Sequence, residues 1–459
     1  MTIRSLHRHI TPLALALALA LSAPLSLTAT LGFAAVSEQK ASELGNTLTP
    51  LGAERAGNAD GSIPAWDGGL GPNGDRYTDP FADEQPLFTI TAANAQQYAD
   101  KLSPGQLAMF KRYPDSFRMP VYPSHRTAAY PESVYERVKW NATHTELSDG
   151  GNGLTTFQEA IPFPIPQNAL EVVWNHLTRY RGGSLERTFV QVPVQANGDF
   201  TPVKINEKLS WPQYLEDTPD SSQTANILSF FVQEVLAPAR LTGDVLLIHE
   251  TLNQVQQPRQ AWTYNTGQRR VRRAPQIAYD APGTASDGLR TTDNLDMFNG
   301  APDRYDWTLV GKRELYIPYN SFKLADRELK YSDILGKGHL VPEHTRYELH
   351  RVWQVEAKLK QGERHVYSKR VFFIDEDSWQ IAIADHYDGR GELWRVAEAH
   401  AFPYRDAQVP WIAAEALYDL QSGRYLVGSL TNEEGKGFDF GQRFAYKDFT
   451  PQAIRRLGR

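Results

Sequence analysis

Residues 346–400 read RYELHRVWQVEAKLKQGERHVYSKRVFFIDEDSWQIAIADHYDGRGELWRVAEAH. Apolar and polar residues alternate in four runs, separated at Gln361-Gly362, Glu376-Asp377 and Gly389-Arg390. Alternation at period two, broken by turn-forming residues, predicts a four-stranded antiparallel meander. With two-residue turns, opposed side chains share a face and the register follows by counting. One row then holds Leu349, Ile374, Trp379 and His400, and the next Arg351, Phe372, Ile381 and Glu398. A third holds Trp353, Arg370, Ile383 and Val396, and a fourth Val355, Ser368, Asp385 and Trp394. The other face sets Gln354 beside Lys369, Glu356 beside Tyr367 and Lys358 beside His365, a mixture suited to water. The face with three tryptophans is therefore the core-facing one. Arg351, Arg370 and Asp385 are awkward there, because an unpaired charge in a dry interior is costly. Either they pair with one another, as Arg370 and Asp385 do diagonally, or the face lines a partly wet cavity.

The sheet pattern extends upstream of the meander. LERTFVQVPV, QANGD and FTPVKINEKL (185–209) form a hairpin signature, since Asn197-Gly198 supplies the positive φ of a tight turn. SSQTANILSFFVQEVLA (221–237) fits a helix or a buried strand equally. AWTYNTGQRRVRRAP (261–275) crowds four arginines into five positions, and a turn at Thr266-Gly267 makes it a hairpin too. Trp262 then opposes Val271, Tyr264 opposes Arg269, and Arg270 and Arg272 point away into solvent. Arg269 on Tyr264 makes either a cation–π contact or the polar rim of an apolar cavity.

The N-terminus bounds where this sheet works. Arg4 and Arg8 precede an almost unbroken apolar run from Ile10 to Leu27, with a small-x-small site at Gly32 to Ala34. That is the pattern of a secretory signal peptide over residues 1–34, cleaved near Ala34. No second run of spanning length follows, so an integral membrane protein is not expected. The net charge of −6 becomes more negative once Arg4 and Arg8 are removed, which makes nucleic acid a poor partner. Cysteine is absent, excluding disulfides, thiolate metal sites and a lipid-anchored N-terminus. The periplasm is the expected compartment. Residues 35–166, dense in Gly, Pro and aromatics, read as an extended N-terminal arm packed on the main domain. Within it Thr91 starts a helix to about Leu102, and Ser103-Pro104 a second to Arg112. A further helix is expected over Asn168 to Arg181, inside a β-sheet domain that spans residues 167–459 with a C-terminal tail.

Catalytic signatures are mostly missing. There is no G-x-S-x-G, Walker A loop or H-E-x-x-H, and GKGFDFG (435–441) fails the dinucleotide spacing. His344 and His350 on one strand stand about 20 Å apart, too far to share an ion. Asp375-Glu376-Asp377 suggests calcium or a carboxylate pair, but its place in a turn accounts for it. No metal, cofactor or enzymatic activity is expected.

Several strings carry a family resemblance: LTPLGAERAGNADGSIPAW (48–66), KLSPGQLAMFKRYPDSFRMPVYPSHRTAAYP (101–131), RRVRRAP (269–275), FNGAPDRYDWTLVGKRELYIPYN (298–320) and RYELHRVW (346–353). The chain resembles the exported Gram-negative proteins grouped as domain of unknown function 1329, outer-membrane lipoprotein-sorting-like. The resemblance implies a mainly β fold with α (α+β): a large curved antiparallel sheet, an incomplete barrel of lipoprotein-carrier type, closed over a few helices and an apolar cavity. It also implies a periplasmic carrier of a lipid or other hydrophobic ligand, working with an envelope exporter. An exported hydrolase of lipid or glycan, and a structural partner of an outer-membrane complex, are the alternatives. The ligand-contacting candidates on the aromatic faces are Trp262, Tyr264, Arg269, Trp353, Arg370, Phe372, Trp379, Ile381, Ile383, Asp385 and Trp394.

Overall fold

Residues 35–219, 224–274, 277 and 279–458 are described by the computed structural model, so the expected signal peptide lies outside the described residues. The arm carries only short elements: α1 (Glu38–Ala41), β1 (Phe88–Ile90), α2 (Pro104–Arg112), β2 (Met119–Val121), α3 (Glu132–His144), β3 (Leu147–Ser148) and β4 (Gly153–Leu154). Then come α4 (Ala169–Thr178), β5 (Leu185–Val194), β6 (Val203–Ser210), β7 (Ile227–Ala237), β8 (Val245–Thr251), β9 (Gln260–Asn265) and β10 (Arg270–Arg273). After a largely irregular insert, 279–304, follow β11 (Tyr305–Pro318), β12 (Tyr347–Leu359), β13 (Lys369–Asp375), β14 (Ile381–Tyr387), β15 (Leu393–Tyr404), β16 (Val409–Asp419), β17 (Tyr425–Leu430), β18 (Phe438–Phe440) and a C-terminal helix, Pro451–Leu457.

Sixteen of these strands make one sheet, in the order β1-β2-β12-β13-β14-β15-β16-β17-β5-β6-β7-β8-β9-β10, with β11 also on β12 and β18 on β5. Neighbours run antiparallel except where Tyr347 meets Val121, and the sheet does not close into a barrel. The expected fold class is thus the observed one. The hairpin β5–β6 turns at Gly198, whose φ of 96° only glycine adopts cheaply. Segment 221–237, undecided by pattern, is strand β7 over Ile227–Ala237.

The helices follow their caps. Ser103 and Gln106 form a reciprocal capping box at the start of α2, with Pro104 in the first turn. Asn168 caps α4, which stops at Thr178 because Arg179 turns extended. The helix expected from Thr91 is instead a 3-10 turn, Ala95–Lys101: the Asn94 side chain accepts the Thr91 N–H and caps nothing. Helix α3, which buries Val134, Val138, Asn141 and Ala142, has no side-chain cap to announce it.

The meander exists, but its register differs from the count. Trp353 opposes Ile374, and Ala357 opposes Arg370, a slip of four residues, because β12 and β13 are joined by 360–368 and not by a two-residue turn. At the second turn Phe372 opposes Ala384 and Phe373 opposes Ile383, with a bulge before Ile374. That odd shift moves Ile383 and Asp385 to the face opposite Phe372. At the third, Ile383 opposes Glu398 and Asp385 opposes Val396. Tyr367 and the His365 side chain, assigned to the wet face, are buried, because the long connection folds back over the sheet. The arginine hairpin slips by two residues: Val271 opposes Tyr264 and Arg273 opposes Trp262. Arg269 therefore sits in the turn, at a φ of 53°, and not across from Tyr264.

Candidate functional site

Pairing carries one face through the whole sheet, from Trp353, Phe372 and Arg370 across His386, Arg395 and Leu417 to Arg187, Glu207, Phe231 and Ile248. Insert 279–304 and α4 lie on this inner face, whereas α2 packs on the outer one. The insert is fastened by two aspartates, Asp293 buried and Asp296 largely so. Asp293 receives Arg370 at 2.6 Å and faces His365 at 3.1 Å. Asp296 takes Arg179 (2.7 Å), Arg181 (3.0 Å) and the Trp411 indole N–H (3.1 Å). Burial opposes ionisation of both carboxyls, but the facing guanidiniums outweigh it and hold them well below the usual range. His176, pushed down to about 3 by burial and Arg179, is neutral; its Nδ1 accepts the Ile381 N–H at 3.1 Å.

The expected diagonal pair of Arg370 with Asp385 does not form, since the two side chains leave opposite faces. Asp385 caps α2, accepting from Ser103 Oγ (3.1 Å) and the Gly105 N–H (2.9 Å). A Cβ at Gly105 would sit 2.1 Å from Asp385 Oδ1, so the close approach requires glycine there. Burial raises Asp385 to about 7. Ile383 packs with Val352, Val371 and Phe373 in an outer-face cluster. Trp353, Phe372, Trp379 and Ile381 join the main core. Trp379 holds a φ of 59°, costly for an aromatic, and its side chain is fixed by the indole N–H donating to Leu51 O (3.0 Å) and by stacking on Trp353. Trp394, half-buried, lies under Arg395 and donates to Asp419. Tyr264 is buried against the C-terminal helix, and Trp262 lies at its edge under Arg273. Arg269 is exposed.

Arg351 also finds other partners, Glu376 and Glu54. In the turn from β13 to β14, ligand atoms of His350, Asp375 and Asp377 all lie within 4.8 Å of one another. Arg126, however, donates to both oxygens of Asp377, at 2.6 and 2.9 Å, and stands where a cation would. Asp375, raised to about 6 by burial and by Asp377, is held by Ser378. The cluster reads as a self-neutralised tie between arm and sheet.

Toward β5–β8 the inner face is not filled. A cavity of about 70 Å³ is lined by Leu177, Leu209, Phe231, Ile248 and Trp411, with the Arg187–Glu207 pair on its border. It shares Trp211 and Leu228 with a cleft of about 480 Å³ where β6 ends and β7 begins. Phe157, Tyr214, Ile227 and Leu252 give that cleft apolar walls, and Arg137 and Glu159 its charge. Tyr214 donates to Glu159 Oε2 at 2.9 Å, and burial lifts Glu159 to about 8. Counting missed these residues because five separate segments build the cleft. The usable signal was an acid, Glu159, set in the apolar, proline-rich run FQEAIPFPIP (157–166). The eleven residues named from sequence line neither of these two cavities.

A single open sheet, covered by an arm on one face and by a helix and insert on the other, with a cavity left at one end, defines a half-open β-sheet class with helices. Within it the chain belongs to the family described as protein of unknown function (DUF1329), which matches residues 89–455, as the resemblance implied. It is 60% identical over 440 residues to "Uncharacterized protein PA3922" of Pseudomonas aeruginosa, covering 95% of this chain and 96% of that protein. Among solved structures it is similar to a domain assigned to outer membrane lipoprotein sorting from Vibrio parahaemolyticus, at 14% identity and a TM-score of 0.43, over 63% of this chain and 98% of that one. It is also similar to a DUF1329 family protein from Desulfovibrio piger, at 13% identity and a TM-score of 0.41, over 60% and 92%. Among the described residues no helix is long and apolar enough to cross a membrane.

Proposed function

We propose that the protein is a periplasmic, non-enzymatic carrier that binds a lipid or other hydrophobic molecule at the β5–β8 end of its inner face. One observation carries this reading: the same face is filled by the insert under β12–β16 but left with adjoining apolar-walled cavities of about 70 and 480 Å³ at the other end. A cavity of a few hundred Å³ with apolar walls and several polar groups to orient a ligand is the usual size and lining of a small-molecule site. Two buried acids elsewhere are occupied structurally, Asp385 by α2 and Glu398 by Gln106 and Tyr347, which favours binding over catalysis at those positions.

Native mass spectrometry of protein extracted gently from the periplasm tests this, together with titration by a neutral apolar dye such as Nile red. A retained apolar adduct, and dye binding reduced at least tenfold by Leu228→Trp without loss of fold, are expected. A ligand-free protein that binds no dye overturns the carrier and favours a purely structural role.

A further inference from the structure

The cleft holds two buried polar groups that its apolar walls do not explain. Glu159 is 3% exposed and its Oε2 accepts from Tyr214, yet its Oε1 has no partner among the described residues. The indole N–H of Trp211, 2% exposed, has none either. A buried polar atom without a partner is destabilising, so two at one site call for a ligand that satisfies them. Arg137, on α3, adds a cation: its Nε donates to the Glu159 carbonyl at 2.9 Å, and its Nη2 stops 3.7 Å from Glu159 Oε2.

The protonation state fixes the chemistry that fits. Tyr214, from the segment after β6, Tyr180 and Arg181, which follow α4, and Arg137 are the titratable groups that face Glu159. Burial outweighs them and lifts the carboxyl to about 8, so near neutrality Oε1 carries a proton to donate. Glu159, Trp211 and Arg137 all line the cleft, so the site offers an O–H, an N–H and a guanidinium, all donors, beside its apolar walls. A cationic or donor-rich head is refused, whereas a planar two-oxygen anion on an apolar tail is matched.

We propose that this cleft binds a long-chain carboxylic acid, its carboxylate held by Glu159, Trp211 and Arg137 and its chain lying along Ile227, Leu228 and Leu252. This deepens the carrier reading and rests on it. As pH rises through about 8, Glu159 ionises and repels the carboxylate, and affinity falls.

The test titrates purified full-length protein with dansyl-undecanoic acid, its methyl ester, dodecyl phosphate and Nile red. The acid is expected to bind at least about tenfold more tightly than the ester at pH 7, the worth of a charge-assisted hydrogen bond. That preference is expected to disappear in Arg137→Gln and to shrink in Trp211→Phe. Glu159→Gln, which cannot ionise, is expected to lose the decline above pH 8 whatever its affinity at pH 7. Nile red binding with equal affinity for acid and ester overturns the carboxylate assignment and leaves the carrier standing. So does tighter binding of dodecyl phosphate, or a preference untouched by Arg137→Gln. Binding of none of the probes overturns both readings.

Discussion

The two ends of the inner face are built from the same alternating strands but differ in what covers them. Under β12–β16 the insert supplies Asp293 to Arg370, Asp296 to Arg179 and Phe298 to Phe372. At β5–β8 the equivalent positions, Phe231 and Ile248, border a cavity. Aromatic richness is therefore no guide to unfilled space: the end with more aromatics is the packed one, and the cavity lies where the covering segment runs out.

Asp296 stands on the boundary, since it anchors Arg179, Arg181 and Trp411 and also borders the 70 Å³ cavity. Asp296→Ala strands two guanidiniums, Arg179 wholly buried, and is expected to lose about 3–5 kcal/mol in urea unfolding. A loss under about 1 kcal/mol would mean that the insert is held elsewhere. Next in size is a matched pair of truncations. Phe372→Ala, in a fully buried position, is expected to cost about 3–5 kcal/mol, and Phe231→Ala, already beside open space, less than about 2 kcal/mol. Equal costs would erase the distinction between a filled and an unfilled end.

The meander, the β5–β6 hairpin and the capped helices α2 and α4 were all legible, because each is announced within a few residues by alternation, Asn-Gly or a cap. The register was not. It depends on the number of residues in each connection, and 360–368 holds a long return in which His365 and Tyr367 fold inward. Nor could spacing place Asp293 beside Arg370, a contact 77 residues apart in the chain. The cleft is less legible still, since Glu159, Trp211 and Leu228 converge from segments that carry no shared motif.

A smaller effect separates the faces by pH. Glu398 and Asp385, on the outer face, are both raised to about 7, burial being the main cause. Unfolded, such acids titrate near 4, so their stabilising contribution is complete below about pH 4 and is lost as pH rises through about 7. Asp293 and Asp296, whose values are lowered, act in the opposite sense: their contribution is present above about pH 4 and fails below it. Buried His176 and His400, both lowered to about 3, raise stability as pH climbs toward 6.5, and against them Glu398 and Asp385 give the melting temperature a downward slope between pH 5 and pH 8. Glu398→Gln is expected to flatten that slope by removing one titrating group, and a slope unchanged in this variant would show that Glu398 already ionises at pH 5.

The arginine-rich hairpin gives the smallest effect on stability, for a reason that its charge alone hides. Strand β10 ends the path of the sheet, and among the described residues it has β9 as its one strand neighbour. A sheet edge exposes unpaired N–H and C=O groups that can recruit another strand, and charged side chains on the edge prevent this. Arg270, Arg272 and Arg273 are all exposed on it, while Val271 packs inward toward the C-terminal helix. Arg270→Thr with Arg272→Thr is therefore expected to change unfolding free energy by no more than about 0.5 kcal/mol. The same variant is expected to self-associate at concentrations where the wild type stays monodisperse in sedimentation. If it remains monodisperse but loses affinity for an anionic ligand, the cluster is a binding surface after all, and the edge-protection argument fails.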